Sequence, residues 1–162
     1  MIIRDESRDD IRAVRQVIVA AFGRAEEADL VDMLRQSGDA VISLVAEDDG
    51  EIVAQVMFSR LRAPAHCVAL APVSVTPSRQ KQGFGSRLIR HGIARAKHDG
   101  WRAVFVLGEP EYYRRFDFSG ALAGKFETPY PRPYFMALEL TPGCLSEGRG
   151  AVIHAPAFRT LD

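Results

Sequence analysis

The stretch that decides the fold reads Arg79-Gln80-Lys81-Gln82-Gly83-Phe84-Gly85-Ser86. Residues 67–75, which precede it, form an apolar run with β-branched side chains, and this run predicts a buried strand. Pro72 lies inside the run and has no N–H to donate, so we expect a bulge or a stop in strand pairing there. After the stretch, apolar residues recur at helical spacing, and the predicted helix ends at Gly100.

A strand, a glycine loop and a helix in this order are typical of a phosphate-binding site. Glycines leave space for close approach, and the N–H groups in the first turn of a helix are free to bind an anion. The surrounding charge agrees, because residues 79–102 carry seven Lys or Arg and one Asp. We therefore expect a polyanionic ligand at this loop.

The spacing of the glycines argues against two familiar phosphate sites. A dinucleotide-binding loop needs a third glycine, and Leu88 stands in its place. A nucleotide P-loop needs more widely spaced glycines followed by Lys and then Ser or Thr, which this stretch does not provide. The pattern that remains is Gln80-x-x-Gly83-x-Gly85.

Periodicity along the rest of the chain predicts further strands and helices around this unit. Asp49-Gly50 lies between two β-rich runs and predicts a hairpin turn. The expected elements are strands at 1–4, 41–46, 51–62, 101–108, 134–140 and 151–154, and helices that start at Ser7, span 26–37 and end near Asp117.

Length and charge limit the classes of protein that this sequence can encode. We expect one domain over 1–162, because a chain of 162 residues can bury a core of its own. Residues 1–51 hold six basic and thirteen acidic groups, which argues against general nucleic-acid binding. Neither a secretory signal nor an apolar run of membrane-spanning length is found. Cys67 and Cys144 are expected to be reduced, so the predicted location is cytoplasmic, with no nucleic-acid or membrane partner.

A second motif follows the central strand and reads Glu109-Pro110-Glu111-Tyr112-Tyr113-Arg114-Arg115-Phe116-Asp117-Phe118. Together with the glycine loop it resembles the two signatures of the Gcn5-related N-acetyltransferases, the GNAT family, which read [Q/R]-x-x-G-x-[G/A] and F-Y-x-x-x-G-F. Asp117 stands where glycine is usual, and Asp tolerates left-handed backbone better than most residues. The longer string Gly108-x-Pro110-x-Tyr112-Tyr113-x-Arg115-Phe116 resembles a bacterial subgroup of that family.

The resemblance implies an α+β protein with the GNAT fold, in which a mixed central sheet of about six or seven strands is flanked by about four helices. It also implies that acetyl-CoA is the co-substrate. The expected reaction is direct transfer of the acetyl group to a primary amine of a small molecule or peptide, in a ternary complex and without a covalent enzyme intermediate. A monomer or a homodimer is expected.

The resemblance also assigns roles to residues of the two motifs. Tyr113 would act as general acid on the leaving thiolate, whereas Tyr112 would point elsewhere on the helix and belong to the core. The backbone edge at Val73, Ser74 and Val75 would pair with the pantetheine amides, as an added strand does. The pyrophosphate would be held by the loop residues Gln80, Lys81, Gln82, Gly83, Phe84, Gly85 and Ser86.

The position of a general base is where this sequence departs from the better-known pattern of the family. Many GNAT enzymes place a Glu on the strand before the loop, and residues 66–75 contain no carboxylate. The candidates are Glu109, Glu111 and Glu27, although a water chain or an amine with a low pKa would need no dedicated base. No metal site is expected, because the four histidines share no ligand spacing and are read as surface or structural residues.

Two other classes of function stay open at the level of sequence. One is a non-catalytic GNAT-fold module that binds acyl-CoA as a sensor or interaction domain. The other is a nucleotide-binding or structural domain whose glycine loop only mimics the motif. Binding of CoA would exclude the nucleotide-binding or structural domain, and turnover would exclude the non-catalytic module.

Overall fold

The computed structural model describes residues 1–161, and six of their segments form one mixed sheet. The strands are β1 Ile2–Asp5, β2 Ala40–Asp48, β3 Glu51–Arg60, β4 Cys67–Val75, β5 Ala103–Leu107 and β6 Phe135–Glu139. Their order across the sheet is their order along the chain. Neighbours are antiparallel except β4 and β5, which are parallel and are joined by a helical crossover.

Helices cover both faces of this sheet. The α-helices are α1 Ile11–Phe22, α2 Glu26–Ser37, α3 Phe84–His98, α4 Pro110–Tyr113 and α5 Gly120–Ala123. Short 3-10 helices occur at Arg8–Asp10, Pro77–Arg79, Arg114–Phe116 and Pro156–Leu161. No helix of the described chain is long and apolar enough to cross a membrane. The mixed sheet and its flanking helices confirm the expected α+β class.

Apolar side chains form clusters that fix each helix to the sheet. Phe58 and Leu88 belong to the cluster between α3 and the sheet, and both are fully buried. Ile18 and Leu34 belong to the cluster on the opposite face, where α1 and α2 pack. The apolar stripes that predicted these helices therefore lie against the sheet.

The predicted elements agree with the structure except near the carboxyl end. The prediction of an edge strand over 151–154 is wrong, because these residues form only isolated bridges. Ala151 pairs with Glu127, whereas Ile153 pairs with Ala63 on a different segment. Since successive residues meet different neighbours, no continuous ladder forms there.

The sheet opens in its middle, between β4 and β5. The parallel pairing of these strands covers only Cys67 to Ala69 opposite Ala103 to Phe105. Farther along β4, Val56 of β3 pairs with Val73 but Phe58 pairs with Leu70, so an extra β4 residue is accommodated near Pro72. The bulge expected at Pro72 is thus present. Because a bulge bends its strand, β4 departs from β5 beyond this point.

The contact between α3 and β3 generates a testable prediction about stability. A Cβ at Gly92 would lie 2.3 Å from Cε1 and 2.6 Å from Cζ of Phe58. We expect Gly92→Ala to destabilise the protein by about 1–3 kcal/mol, measured by urea unfolding, because overpacking forces the helix off the sheet. This steric cost must exceed the roughly 1 kcal/mol that Ala gains over Gly in a helix.

Ala94→Gly is the matched control, because Ala94 lies on the exposed side of the same helix. It should cost about 1 kcal/mol through helix propensity alone. An increase in stability for Gly92→Ala would contradict the steric reading of this contact.

Candidate active site

A cavity of about 480 Å³ lies where β4 and β5 separate. Ala71, Pro72 and Val73 line it from β4, and Val106 and Leu107 line it from β5. The opposite walls come from α1, α2 and the segment around the last 3-10 helix. The break in strand pairing therefore creates a chamber that extends into the sheet.

One edge of β4 is free to bind a ligand at this opening. The Thr76 N–H donates to the Val53 carbonyl at 2.8 Å, which identifies the β4 residues that face β3. Because hydrogen-bonding direction alternates along a strand, Ser74 also faces β3, and the N–H and C=O groups of Val73 and Val75 face the open edge. The Val75 carbonyl accepts from Gln80 Nε2 at 3.0 Å. Val73 presents its backbone groups toward the cavity side.

The glycine loop follows directly and ends at the first turn of α3. Gly83 adopts a left-handed conformation, with φ of 88°, and lies at the helix N-cap. The Arg87 N–H donates to the Gly83 carbonyl at 3.1 Å, so the N–H groups of Phe84, Gly85 and Ser86 precede the intrahelical hydrogen bonds. These N–H groups have no intrahelical acceptor, and they lie at the end of the helix where the sequence predicts a bound anion.

Side chains brace the loop from both sides. Arg79 forms an ion pair with Asp48 and stacks over the Phe84 ring at 5.4 Å. The Tyr112 hydroxyl lies 3.0 Å from Ser86 Oγ, within hydrogen-bonding distance. Tyr112 packs against the core but is only half-buried, so it is not the core residue that was expected, and its contact with the loop was not predicted.

Tyr113 is held at the cavity wall by close packing. A Cβ at Gly108 would lie 2.2 Å from Cε2 of the Tyr113 ring, so the ring occupies the space that a side chain there would need. The ring also packs edge-on against Phe118 at 5.7 Å. Asp117, between them in sequence, takes the left-handed conformation, with φ of 70°, that the family pattern gives to glycine.

The hydroxyl of Tyr113 is available for chemistry. No described residue forms a hydrogen bond with it, and the side chain lines the cavity. Burial raises the pKa of Tyr113 to about 12, because the phenolate would lose its hydration. The residue therefore keeps its proton at neutral pH, as a general acid must.

The structure separates the three candidate bases. Glu27 is 6% exposed and lines the cavity, whereas Glu109 and Glu111 are exposed at the start of α4 and do not. Arg24 Nε donates to Glu27 Oε1 at 2.9 Å, and this hydrogen bond lowers the pKa of the Glu27 carboxyl. Glu27 and Tyr113 thus meet at one chamber, and Glu109 and Glu111 lie outside it.

Sequence reasoning missed the wall that the carboxyl-terminal segment supplies. His154 was read as a surface or structural residue, but it lines the cavity together with Tyr130 and Phe158. The His154 ring lies 5.4 Å from the Tyr130 ring and 5.0 Å from the Phe158 ring. Burial lowers the pKa of His154 to about 4, so the imidazole is neutral at neutral pH. The local sequence has no motif that would have found this wall.

Residues 1–161 contain no group of three or more His, Cys, Asp or Glu side chains that could hold a metal ion.

Curated relatives are N-acetyltransferases of Escherichia coli K12. The uncharacterised N-acetyltransferase YjhQ is 37% identical over 135 residues, which cover 78% of this chain and 74% of that protein. The uncharacterised N-acetyltransferase YhbS is 33% identical over 122 residues, which cover 73% of each.

Two similar solved structures are also of GNAT family proteins. The crystal structure of Escherichia coli YhbS in complex with CoA has a TM-score of 0.91 and 29% identity, and the match covers 98% of this chain and 91% of that one. A GNAT family acetyltransferase from Brucella melitensis, in complex with acetyl-CoA, has a TM-score of 0.82 and 35% identity, with 97% of each chain covered.

The family match covers the segment that contains the open β4 edge, the glycine loop and Tyr113. The family model described as the acetyltransferase (GNAT) family matches residues 11–118, which run from α1 through β4, the glycine loop and Tyr113. The match, the relatives and the structural neighbours all agree, and the chain belongs to the GNAT family of acetyltransferases.

Proposed function

We propose that the protein moves the acetyl group of acetyl-CoA to a primary amine of a small molecule or peptide, by direct attack in a ternary complex. The observation that carries this proposal is that the free edge of β4 and Tyr113 border one cavity, with the glycine loop directly after that edge. The complexes of two similar proteins with CoA and acetyl-CoA support the choice of co-substrate.

The residues present fit acetyl-CoA as a ligand. The free N–H groups in the first turn of α3 suit the pyrophosphate, and Gly83 and Gly85 keep side chains out of its approach. The free backbone groups of Val73 suit the pantetheine amides, which would extend the sheet from the β4 edge. Gln80 contributes by fixing the loop to Val75, since its side-chain amide is engaged there.

The reaction follows from this placement. The amine nitrogen attacks the thioester carbonyl, a C–N bond forms, and the C–S bond breaks. Backbone N–H groups at the open edge would stabilise the negative charge on the carbonyl oxygen. Tyr113 would give its proton to the departing thiolate, and holding both substrates in one chamber would lower the barrier further.

Among the three carboxylates, we propose Glu27 as the one that meets the amine. Its pKa is lowered by Arg24, which makes it a weak proton acceptor and a good partner for an ammonium group. The amine proton would then leave through water, or the amine would arrive neutral, so that no strong base is needed. Glu109 and Glu111 do not line the chamber.

A non-catalytic acyl-CoA-binding module is the alternative to this enzyme. It would bind acetyl-CoA equally well, and substitution of Tyr113 would then leave every measured property unchanged.

We also propose a cytoplasmic location, because both cysteines of the described chain are free thiols.

Binding of the co-substrate can be measured by thermal unfolding. We expect acetyl-CoA and CoA to raise the thermal unfolding midpoint, and ATP and NAD to leave it unchanged. Ligand at a hundredfold excess over Kd stabilises the native state by about 2.7 kcal/mol. No shift with either CoA species at millimolar concentration would overturn the acetyltransferase and the acyl-CoA module together.

Gly83→Ala tests the loop within the same assay. Ala at a φ of 88° should cost about 1–2 kcal/mol of stability and weaken the shift caused by acetyl-CoA. Gly38→Ala is the matched control, since Gly38 has a φ of 79°, has open space around it and lies at the end of α2. A loss of binding in both variants, or in neither, would count against the loop as the phosphate site.

A further prediction concerns Tyr113 as the proton donor. Tyr113→Phe keeps the packed ring and removes the proton, so kcat should fall by a factor of about 100 to 10,000 while the Kd of acetyl-CoA stays constant. Tyr112→Phe serves as control and should cost less than about tenfold, because it removes a single hydrogen bond to Ser86. Equal turnover by Tyr113→Phe and the wild type would refute the assignment.

The raised pKa of Tyr113 predicts the shape of the pH profile. A general acid acts in its protonated form, and a pKa of about 12 keeps that form dominant throughout the usual assay range. We therefore expect kcat to show no descending limb below about pH 10. A descending limb near neutral pH that disappears in Tyr113→Phe would show that this tyrosine ionises far more easily than its burial implies.

A further inference from the structure

We propose that the acceptor is a small primary amine with one positive charge and an apolar or aromatic body, and that Glu27 binds its ammonium group. This inference rests on the proposed function and narrows it to a substrate class. It follows from the charges on the cavity walls, the surroundings of Glu27 and the apolar character of the remaining walls.

The walls of the cavity offer one counter-charge for a cationic group. Among the described residues that line it, Glu27 is the one side chain of the Asp, Glu, Lys and Arg types. Tyr113 and His154 also line it, and burial keeps both of them neutral at neutral pH. A ligand with a single ammonium group would therefore find one counter-charge, and a second ammonium group would find none on these walls.

Glu27 can accept an additional hydrogen bond. Its carboxylate is buried, whereas the Arg24 side chain that pairs with it is 56% exposed and approaches from solvent. A carboxylate offers about four acceptor positions; the Arg24 guanidinium uses two of them and a backbone N–H uses a third. Arg24 therefore keeps the carboxylate ionised and leaves acceptor capacity for an ammonium group from the cavity.

The walls beyond Glu27 are apolar and rich in rings. Phe22 and Leu30 line the cavity from α1 and α2, and Phe158 lines it from the last 3-10 helix. The His154 ring contacts the rings of Tyr130 and Phe158 on the same side. Such walls favour the hydrocarbon part of a ligand, and they would leave a polar or charged group without its hydration.

The size of the chamber favours a compact acceptor. Its volume of about 480 Å³ must also hold the acetyl thioester, because Ala71, Pro72 and Val73 of the open edge line the same space. Long polyamines, aminoglycosides and basic peptides carry several cationic groups and would place most of them against apolar walls. The structure thus selects against these acceptors by charge and by volume.

The experiment compares two amines of equal length. In n-pentylamine and 1,4-diaminobutane the chains have the same number of non-hydrogen atoms, and a terminal methyl group replaces an ammonium group. With acetyl-CoA saturating, we expect kcat/KM for n-pentylamine to exceed that for 1,4-diaminobutane by about tenfold or more. A third amine, 2-phenylethylamine, should be at least as good as n-pentylamine. Equal rates, or a preference for the diamine, would overturn the proposed class.

A substitution in the cavity wall tests whether charge causes the difference between the two amines. Phe22 is 42% exposed, so Phe22→Asp can add a second carboxylate without disturbing the core. It should shift the ratio of the two kcat/KM values toward 1,4-diaminobutane by about two- to fivefold, the range of a partly exposed ion pair. Phe22→Asn changes the shape without the charge and should keep the wild-type ratio. Identical ratios in the Asp and Asn variants would contradict the proposal.

Glu27→Gln tests the ammonium site itself. The change preserves shape and removes the charge, so the KM of n-pentylamine should rise by about tenfold or more, with the KM of acetyl-CoA unchanged. Glu26→Gln is the matched control, because the neighbouring carboxylate also lies near Arg24, at 3.6 Å, but is not part of the cavity wall. An unchanged amine KM in Glu27→Gln would remove Glu27 from the acceptor site.

Thermal unfolding with acetyl-CoA distinguishes failure of the proposed function from failure of the proposed substrate class. If acetyl-CoA does not bind, the proposed function fails, and the substrate class fails with it. If acetyl-CoA binds but none of the apolar amines is acetylated, the substrate class is overturned while the co-substrate site stands. Acetylation of 1,4-diaminobutane in preference to the apolar amines has the same meaning.

Discussion

The early end of strand pairing between β4 and β5 is the constraint on which the rest of the site depends. The two strands share a parallel ladder only as far as Ala69 and Phe105. Beyond it, each strand keeps its other neighbour, β3 or β6, so the sheet as a whole stays intact. The cost of leaving backbone groups of β4 unpaired is limited to one edge, and we propose that a ligand completes the sheet there.

Buried polar contacts stabilise the bend that produces this opening. Gln55 is fully buried on β3, and its Nε2 donates to the Pro72 carbonyl at 3.2 Å and lies 3.0 Å from Ser74 Oγ. A side-chain amide thus replaces a ladder hydrogen bond where the bulge disrupts the regular pattern. Both contacts come from Gln55 Nε2, and they tie the bent part of β4 to β3.

The sequence was sufficient for the parts of the site that depend on local pattern. The glycine loop, the Pro72 bulge and the left-handed turn at Asp117 follow from residue types that act within a few positions. His154 and Phe158 could not be found in this way, because their place at the cavity depends on how the carboxyl-terminal segment packs against α2. Glu27 could be proposed but not preferred over Glu109 from the sequence. Which of the two carboxylates lines the cavity depends on the tertiary fold, and sequence periodicity does not reveal it.

The cavity is built from two sets of walls that belong to separate parts of the chain. The two strands supply residues 69–73 and 105–107, and the glycine loop follows the first of them along the chain, whereas Glu27 and most of the remaining wall come from residues 22–30 and 154–161. Substitutions in the second set can therefore change which acceptor fits without altering the groups proposed to hold acetyl-CoA. Under the proposed function, a single substitution in the second set would change the acceptor that fits and preserve the transfer chemistry.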